Sequence, residues 1–175
     1  MLGLGLSAMI DEYGIMPEMI ESITVMSFSK ATLLGRTAPE NPVAAMYSIP
    51  YVIGTKLIKG EVSPREMTAE SLSDRRILDI AQKVTIIEDV ELTSLFPEKC
   101  LAKIVVCLKD GTVIRSDTLS AKGDVDNPYS YEELRSKFLN LTKSLPNGRS
   151  EELFELIMNI ENSDPRVIWE MLREA

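Results

Sequence analysis

The sequence contains no histidine. Histidine is the commonest general base and the commonest metal ligand in proteins, so the usual proton acceptor of an active site is missing. Serines are numerous, but no imidazole is present to activate one as a nucleophile. Neither a GxGxxG nor a GxxxxGK[ST] phosphate-binding motif occurs. From these absences we expect no metal ion and no cofactor, and we find no complete catalytic set.

Cysteine is scarce, with only Cys100 and Cys107, which lie seven positions apart and form no CxxC pair. Both flank or lie within an apolar run. We therefore predict free, buried thiols, because a zinc site needs more ligands at closer spacing and a disulfide scaffold needs more cysteines.

Positive charge is also in short supply. The chain has 19 lysines and arginines against 27 acidic residues, a net charge of -8. This balance argues against a nucleic-acid partner and against an anionic membrane surface. No apolar run reaches the ~18 residues of a membrane span, and Asp11 and Glu12 end the N-terminal one. We therefore expect a soluble, cytoplasmic protein, in which local lysines could still bind an anionic substrate.

The apolar pattern predicts an α+β fold. Alternation over residues 20–27 and an apolar run over 84–90 indicate strands. Two further runs, 103–109 and 112–119, flank Asp110-Gly111, which is typical of a β-hairpin with a type I′ turn. We expect a small, mainly antiparallel sheet with helices packed on it, plus C-terminal helices. The remaining helix signals lie at residues 4–14, from Ser63 to about Ser71, from Ser73 along DRRILDIAQK, at SYEELRSKFLNLTKSL, and in two C-terminal segments beyond the Pro146-Asn147-Gly148 break.

The best candidate for a functional site lies in residues 42–60, which we predict to form one long apolar helix. Asn41 and Pro42 are typical of a helix start, and Gly60 is typical of its end. Pro50 lies near the middle, where a proline removes a backbone donor and disturbs the helix. Tyr51 follows this expected break, and its phenol could donate a proton or a hydrogen bond to a developing oxyanion. The alternative is an interior tyrosine whose hydroxyl bonds to the backbone.

A second, weaker candidate site is the turn-rich loop of residues 122–130. Lys122 could bind a carboxylate, because Gly123 lets the backbone approach a ligand closely. The alternative for Lys122 is a solvated turn residue. Asp124 and Asp126 lie in the same loop, where acidic residues far more often form turns than act as a catalytic pair.

Four blocks of the sequence, in order, resemble the C-terminal domain of the MmgE/PrpD family of dehydratases, decarboxylases and isomerases. ENPVAAMYSIPYVIGTKLIKGEV is similar to the family's central helix, with its S-x-x-Y core and L-x-x-G end. SDRRILDIAQKVTI resembles its helix leading into a strand, and AKIVVCLKDGTVI resembles its hairpin. KGDVDNPYSYEELRSKFLNL resembles the G-D-x-x-N-P loop and the helix that follows. The resemblance covers roughly residues 8–145.

The resemblance implies the lid portion of a lyase that acts on a small di- or tricarboxylic acid, such as 2-methylcitrate, cis-aconitate or iminodisuccinate. In the family, the histidines and an important lysine lie in a large helical domain or in the K-x-Y-P segment where the lid begins, and neither is seen in this sequence. Of the proposed catalytic residues only the motif tyrosine carries over, onto Tyr51, with Ser48 as the motif serine. The candidate substrate-binding residues are Ser48, from this motif, and Lys122 and Gly123, from the loop described above. We expect this chain to be inactive by itself, whether it is a fragment, half of a split enzyme or a degenerate remnant. The alternative is a non-catalytic interaction module with the same fold.

The resemblance also implies a division into a lid domain at residues 1–145 and a C-terminal segment at 146–175 that would return to the helical domain. This segment carries more apolar residues than one narrow stripe along a helix can bury. We therefore expect it to pack against a second chain, either another copy or a separate helical-domain chain. The residues concerned are Leu153, Phe154, Leu156, Ile157, Ile160, Ile168, Trp169 and Leu172.

Overall fold

The computed structural model describes residues 2–63, 66–143, 145 and 148–173. The chain forms two compact units, Met1–Asn127 and Pro128–Ala175. The first unit is a sheet with helices and the second is helical, so the predicted α+β class is confirmed. The division after residue 145 that the resemblance implies stays a prediction about the family's architecture.

The sheet is centred on β1 (Ile20–Ser27), which lies between a parallel and an antiparallel neighbour. On one side it pairs in parallel with β2 (Val84–Glu88), and on the other it pairs antiparallel with β3 (Leu101–Leu108). Two short strands, β4 (Val113–Arg115) and β5 (Leu119–Ser120), pair antiparallel with β3. The sheet is therefore mainly antiparallel, as predicted. Its one parallel pair follows from the long helical crossover between β1 and β2.

Alternation along β1 and β3 directs one face of the sheet into the main core. Ile23 and Val25 lie opposite Val106 and Ile104, and all four side chains are fully buried. Helices supply the other half of this core through Leu6 and Ile53, with several neighbours. The helices of the first unit are α1 (Leu2–Tyr13), α2 (Pro42–Met46), α3 (Ile49–Lys59), α4 (Ala69–Leu72), α5 (Arg75–Ala81) and α6 (Val90–Ser94), with 3-10 turns at Pro17–Met19 and Ser29–Leu34. None of the helices in the described residues is long and apolar enough to cross a membrane.

The hairpin after β3 exists, but its loop differs from the predicted two-residue turn. Leu108 N–H donates to the Thr112 carbonyl at 2.8 Å, and Gly111 N–H donates to the Leu108 carbonyl at 2.9 Å. Three residues therefore form the loop, and Gly111 has the positive φ of 89° that closes it. This is the three-residue hairpin geometry, in which a glycine in the left-handed region follows a tight turn.

The predicted single helix over residues 42–60 is wrong. Two helices occupy this segment, α2 and α3, separated at Tyr47 and Ser48. Asn41 caps the first by accepting from Ala44 N–H, and Gly60 ends the second in the left-handed conformation, as expected. Pro50 belongs to the first turn of α3, where its missing N–H has no intrahelical partner to lose. The proline therefore starts a helix and does not kink one.

The helix predicted from Ser63 begins later than expected. Residues 64 and 65 lie outside the described part of the chain, and Glu66 accepts from Ser63 N–H at 2.8 Å in a turn. The helix α4 starts only at Ala69, because Thr68 supplies its N-cap. Asp74, not Ser73, then caps α5 by accepting from Arg76 N–H.

The second unit consists of α7 (Tyr131–Leu141), α8 (Arg149–Met158), a 3-10 turn at Ile160–Asn162 and α9 (Pro165–Arg173). Ser130 and Glu133 form the predicted capping box of α7. Residues 146 and 147 of the predicted break lie outside the described part, while Gly148 has a φ of 69°.

Candidate functional site

Ser48 fixes the start of the helix that carries Tyr51. Its side-chain oxygen accepts from Tyr51 N–H at 3.0 Å, which makes it the N-cap of α3. Its hydroxyl also donates to the backbone carbonyl of Arg36, twelve residues earlier in the chain. Ser48 is 1% exposed, and its bond to Tyr51 is buried, whereas its bond to Arg36 is partly buried.

Tyr51 is fully buried in a small apolar cluster apart from the main core. Ala45, Met67 and Ile77 form this cluster with it. The Tyr51 hydroxyl has no hydrogen-bond partner among the described residues, and neither has the Thr55 hydroxyl one turn further along α3. Buried hydroxyls nearly always have a partner, because an unpaired one costs about 1–3 kcal/mol. Two such groups on one helix face mark this as the least satisfied polar site that the structure describes.

Burial raises the pKa of the Tyr51 phenol above its ordinary value, because the phenolate loses its hydration. The Thr55 hydroxyl lies near enough to oppose this rise in part, although the two groups do not reach hydrogen-bond geometry. The negative charge of Asp74 adds to the rise. The phenol therefore stays protonated at neutral pH, in the form that can donate a hydrogen bond or a proton.

The helix that carries Tyr51 packs very closely against α5. A Cβ atom added to Gly54 would lie 2.5 Å from the Ile77 carbonyl oxygen, so only glycine permits this approach. At the N-terminal end of α5, Asp74 pairs with Arg76 at 2.8 Å and with Lys59 of α3 at 3.4 Å. The hydrogen bond from Arg76 holds the pKa of the Asp74 carboxyl well below its usual range.

The structure places the second candidate pair, Lys122 and Gly123, in the loop after β5. Gly123 has a φ of 98°, and its N–H donates to the Asn127 carbonyl at 2.8 Å. Lys122 is half-buried. The Asn127 side chain in turn donates to Ser120 Oγ at 2.9 Å. The Gly123 amide therefore closes its own turn and is not directed toward a ligand.

A groove of about 460 Å³ lies beside this loop, between residues 97–101 and 120–126. Its charged residues are Glu98, Lys99, Asp124 and Asp126, and Lys99 pairs with Asp126 at 3.3 Å. Three carboxylates against one ammonium make this groove a poor site for a polycarboxylate anion. Both aspartates are exposed and belong to a turn, in line with the turn-forming alternative.

The structure thus unites one predicted pair, Ser48 with Tyr51, and places Lys122 and Gly123 in a different element. Thr55 and the Arg36 carbonyl were not predicted. Thr55 follows Tyr51 by four residues on one helix, a spacing that brings side chains together. No sequence signal points to Arg36, because its backbone contributes and not its side chain.

Both cysteines are free and half-buried. The described residues contain no group of three or more Cys, Asp or Glu side chains arranged to hold a metal ion.

These features define an α+β domain with a buried, unpaired phenol at the start of a capped helix. The family model of the MmgE/PrpD C-terminal domain matches residues 5–162, which is nine-tenths of the sequence. The chain therefore belongs to the MmgE/PrpD C-terminal domain family. A search of curated proteins found no match.

Proposed function

We propose that this chain is the C-terminal lid portion of a cytoplasmic MmgE/PrpD-type lyase that acts on a small di- or tricarboxylic acid. The observation that carries this proposal is the family match over residues 5–162. The reaction class, a dehydration, decarboxylation or isomerisation, follows from the resemblance. The free cysteines are in keeping with a reducing compartment.

In this proposal Tyr51 is the proton or hydrogen-bond donor. Its raised pKa keeps the phenol protonated, and its hydroxyl has no described protein partner to compete with a substrate oxygen. A phenol supplies only one half of a proton-transfer pair, and this sequence lacks histidine, the commonest general base, so in this proposal another chain supplies the base. Because Tyr51 is fully buried, a substrate oxygen reaches it only when part of its cover, such as Ala45 or Met67, moves aside. Lys122 remains a candidate for binding a substrate carboxylate.

The test is turnover of a panel of di- and tricarboxylic acids, followed by proton NMR. We expect no turnover by this chain alone, and turnover when it is mixed with a histidine-bearing helical-domain chain of the same family. Tyr51→Phe should abolish that turnover. Tyr47→Phe is the matched control, because Tyr47 lies four residues earlier and is 66% exposed. Turnover by the chain alone would contradict the proposed division of the active site between two parts.

We further propose that the second unit binds another chain, either a copy of this one or the helical-domain chain. Leu153 and Phe154 are buried within the unit, where Phe154 contacts the rings of Tyr131 and Phe138. Four of the other apolar residues remain exposed: Ile157 at 37%, Ile160 at 55%, Trp169 at 65% and Leu172 at 49%. An exposed apolar set of this kind is typical of an interaction surface.

Sedimentation at micromolar concentration tests this association, alone and with the helical-domain chain. We expect an assembly in one of the two samples, and we expect Trp169→Ser combined with Leu172→Ser to weaken it. Val125→Ser is the control, because Val125 is 97% exposed in the first unit. A monomer in both samples would contradict the association.

The alternative function is a non-catalytic interaction module. The full burial of Tyr51 and the acidic groove favour it, because neither offers a polycarboxylate an open site. The discriminating result is assembly with the helical-domain chain but no turnover of any acid in the panel.

A further inference from the structure

We propose that Ser48 is a positioning residue for Tyr51. Its two hydrogen bonds connect the backbone at Arg36 to the first turn of α3 and so hold the Tyr51 phenol in place. This proposal rests on the proposed function only in treating Tyr51 as the proton or hydrogen-bond donor. Ser48 then acts through protein contacts, and not as a ligand of the substrate.

The hydrogen bonds of Ser48 carry this proposal. A serine hydroxyl has one hydrogen, and that of Ser48 is donated to the Arg36 carbonyl. Its oxygen accepts from Tyr51 N–H at 3.0 Å. With the residue 1% exposed and its hydrogen committed, a substrate carboxylate could accept from the Ser48 hydroxyl only by displacing the Arg36 carbonyl.

Two other N-caps also reach a distant segment, but through the side chain of a lysine: Asp74 of α5 pairs with Lys59 at 3.4 Å, and Asp89 of α6 accepts from Lys103 Nζ at 3.0 Å. The bonds described for Ser130, the N-cap of α7, run to Glu133 within its own first turn, and Ser130 is exposed. Asn41 accepts from Ala44 at the start of α2 and is exposed as well. Ser48 differs from these caps because its second bond runs to the backbone of a distant segment, at the carbonyl of Arg36. A helix cap alone needs no such bond, so it points to an additional role in fixing the Arg36 loop.

The position of Tyr51 in α3 makes its side chain sensitive to loss of the Ser48 hydrogen bonds. Tyr51 is the third residue of α3, after Ile49 and Pro50. Pro50 has no N–H, so the Tyr51 amide is the donor that Ser48 satisfies. The bond acts on the backbone of Tyr51 itself, so its loss should loosen the phenol before it loosens the rest of the helix.

The test measures how accessible Tyr51 is to a tyrosine-nitrating reagent, with the extent of nitration at each site read by mass spectrometry. Tyr47 serves as an internal reference, because it is 66% exposed in the same segment. The variants are Ser48→Ala, Ser48→Gly and Ser48→Thr, with Ser130→Ala as the cap-matched control. Glycine is tolerated at an N-cap nearly as well as serine, so Ser48→Gly removes the bond to Arg36 with little loss of capping. Threonine keeps both bonds.

We expect Ser48→Ala and Ser48→Gly to raise the nitration of Tyr51 relative to Tyr47 by about fivefold, since both lose the bond to Arg36 and one net hydrogen bond changes local opening by that factor. Ser48→Thr and Ser130→Ala should leave the ratio unchanged. An unchanged ratio in Ser48→Gly would overturn the proposal, and so would an equal rise in Ser130→Ala. If Ser48→Ala fails to fold, the glycine and threonine variants decide the result. The readout needs no turnover, so a failure of the proposed lyase function would leave this result intact.

Discussion

The two units of the chain bury their apolar residues to very different extents. In the described part of Met1–Asn127, fourteen buried residues from the sheet, its helices and their connections form one cluster, and Tyr51 forms a second with three more. In the described part of Pro128–Ala175, only Leu153 and Phe154 are buried apolar residues. Exposed apolar side chains, by contrast, crowd α8, α9 and the 3-10 turn between them.

The difference follows from how each unit is built. A sheet brings segments that are distant in sequence into one face, as when Ile23 of β1 meets Val84 on one side and Val106 on the other. Three short helices joined in sequence can cover one another only along narrow stripes. The first unit therefore has a core of its own, whereas the second has apolar surface left over.

The largest expected effect is truncation in the first core. Ile23→Ala should lower the free energy of unfolding by about 2–5 kcal/mol, because it leaves a cavity beneath the sheet. The matched control is Ile160→Ala in the second unit, at 55% exposure, which should change it by less than about 0.5 kcal/mol. Urea denaturation measures both. A comparable loss in Ile160→Ala would break the comparison for the chain in solution, because it would mean that Ile160 is covered there, as the proposed binding to another copy requires.

The second effect concerns the close approach of α3 to α5. Gly54→Ala should lower the free energy of unfolding by about 1–3 kcal/mol, because the new methyl group meets the Ile77 carbonyl oxygen at 2.5 Å. Alanine is intrinsically the better helix former, so any net loss reports the clash. Gly35→Ala is the control, since a Cβ there meets its nearest atom at 3.4 Å and the φ of -85° suits alanine. Equal stability of the two variants would show that the helices separate at little cost.

In the first unit, the sequence predicts the strands better than it predicts where the helices begin and end. Alternation predicts β1 and β3 because one face of each strand is buried. Alternation says nothing about the division of residues 42–60 at Ser48, because an apolar run of helical length with Pro50 near its middle fits either one disturbed helix or two helices. The family motif predicts Tyr51 as a site residue. It does not predict that its hydroxyl lacks a described partner, because this depends on how Ala45 and Met67 pack against the side chain. Such contacts arise from tertiary packing and have no local signal.

The third effect is a gain in stability. Tyr51→Phe should raise the free energy of unfolding by about 1 kcal/mol, because it removes a buried hydroxyl that has no described partner. Tyr47→Phe should be neutral, because the Tyr47 side chain is 66% exposed. Thermal or urea denaturation of both variants measures the difference. A loss of stability in Tyr51→Phe would mean that the hydroxyl has a partner in solution, such as a trapped water.

The smallest effect compares one local motif that occurs in both units. Asp74 accepts from Arg76 N–H at 3.0 Å, from its Nε at 3.1 Å and from its Nη2 at 2.8 Å. Asp164 accepts from Arg166 with the same three distances. The side chains differ in exposure, 15% for Asp74 and 43% for Asp164, and Asp74 has Lys59 as a second partner. The pKa of each carboxyl lies below its ordinary value, chiefly through the arginine hydrogen bond.

A lowered carboxyl pKa contributes stability that is present above the ordinary aspartate pKa of about 3.9 and is lost as the pH falls below it. Asp74→Asn keeps an N-capping oxygen but removes the charge, so it should cost less than about 1 kcal/mol at neutral pH. That cost should shrink as the pH falls below about 3.9, because the unfolded chain then binds a proton at this carboxyl while the folded chain still holds it ionised. For Asp164→Asn we expect a smaller difference at every pH, because water screens the more exposed pair. Urea denaturation across this pH range measures both variants. Equal changes in the free energy of unfolding for Asp74→Asn and Asp164→Asn would mean that partial burial and Lys59 add nothing to the Asp–Arg pair. The local motif alone would then determine how much the pair stabilises either unit.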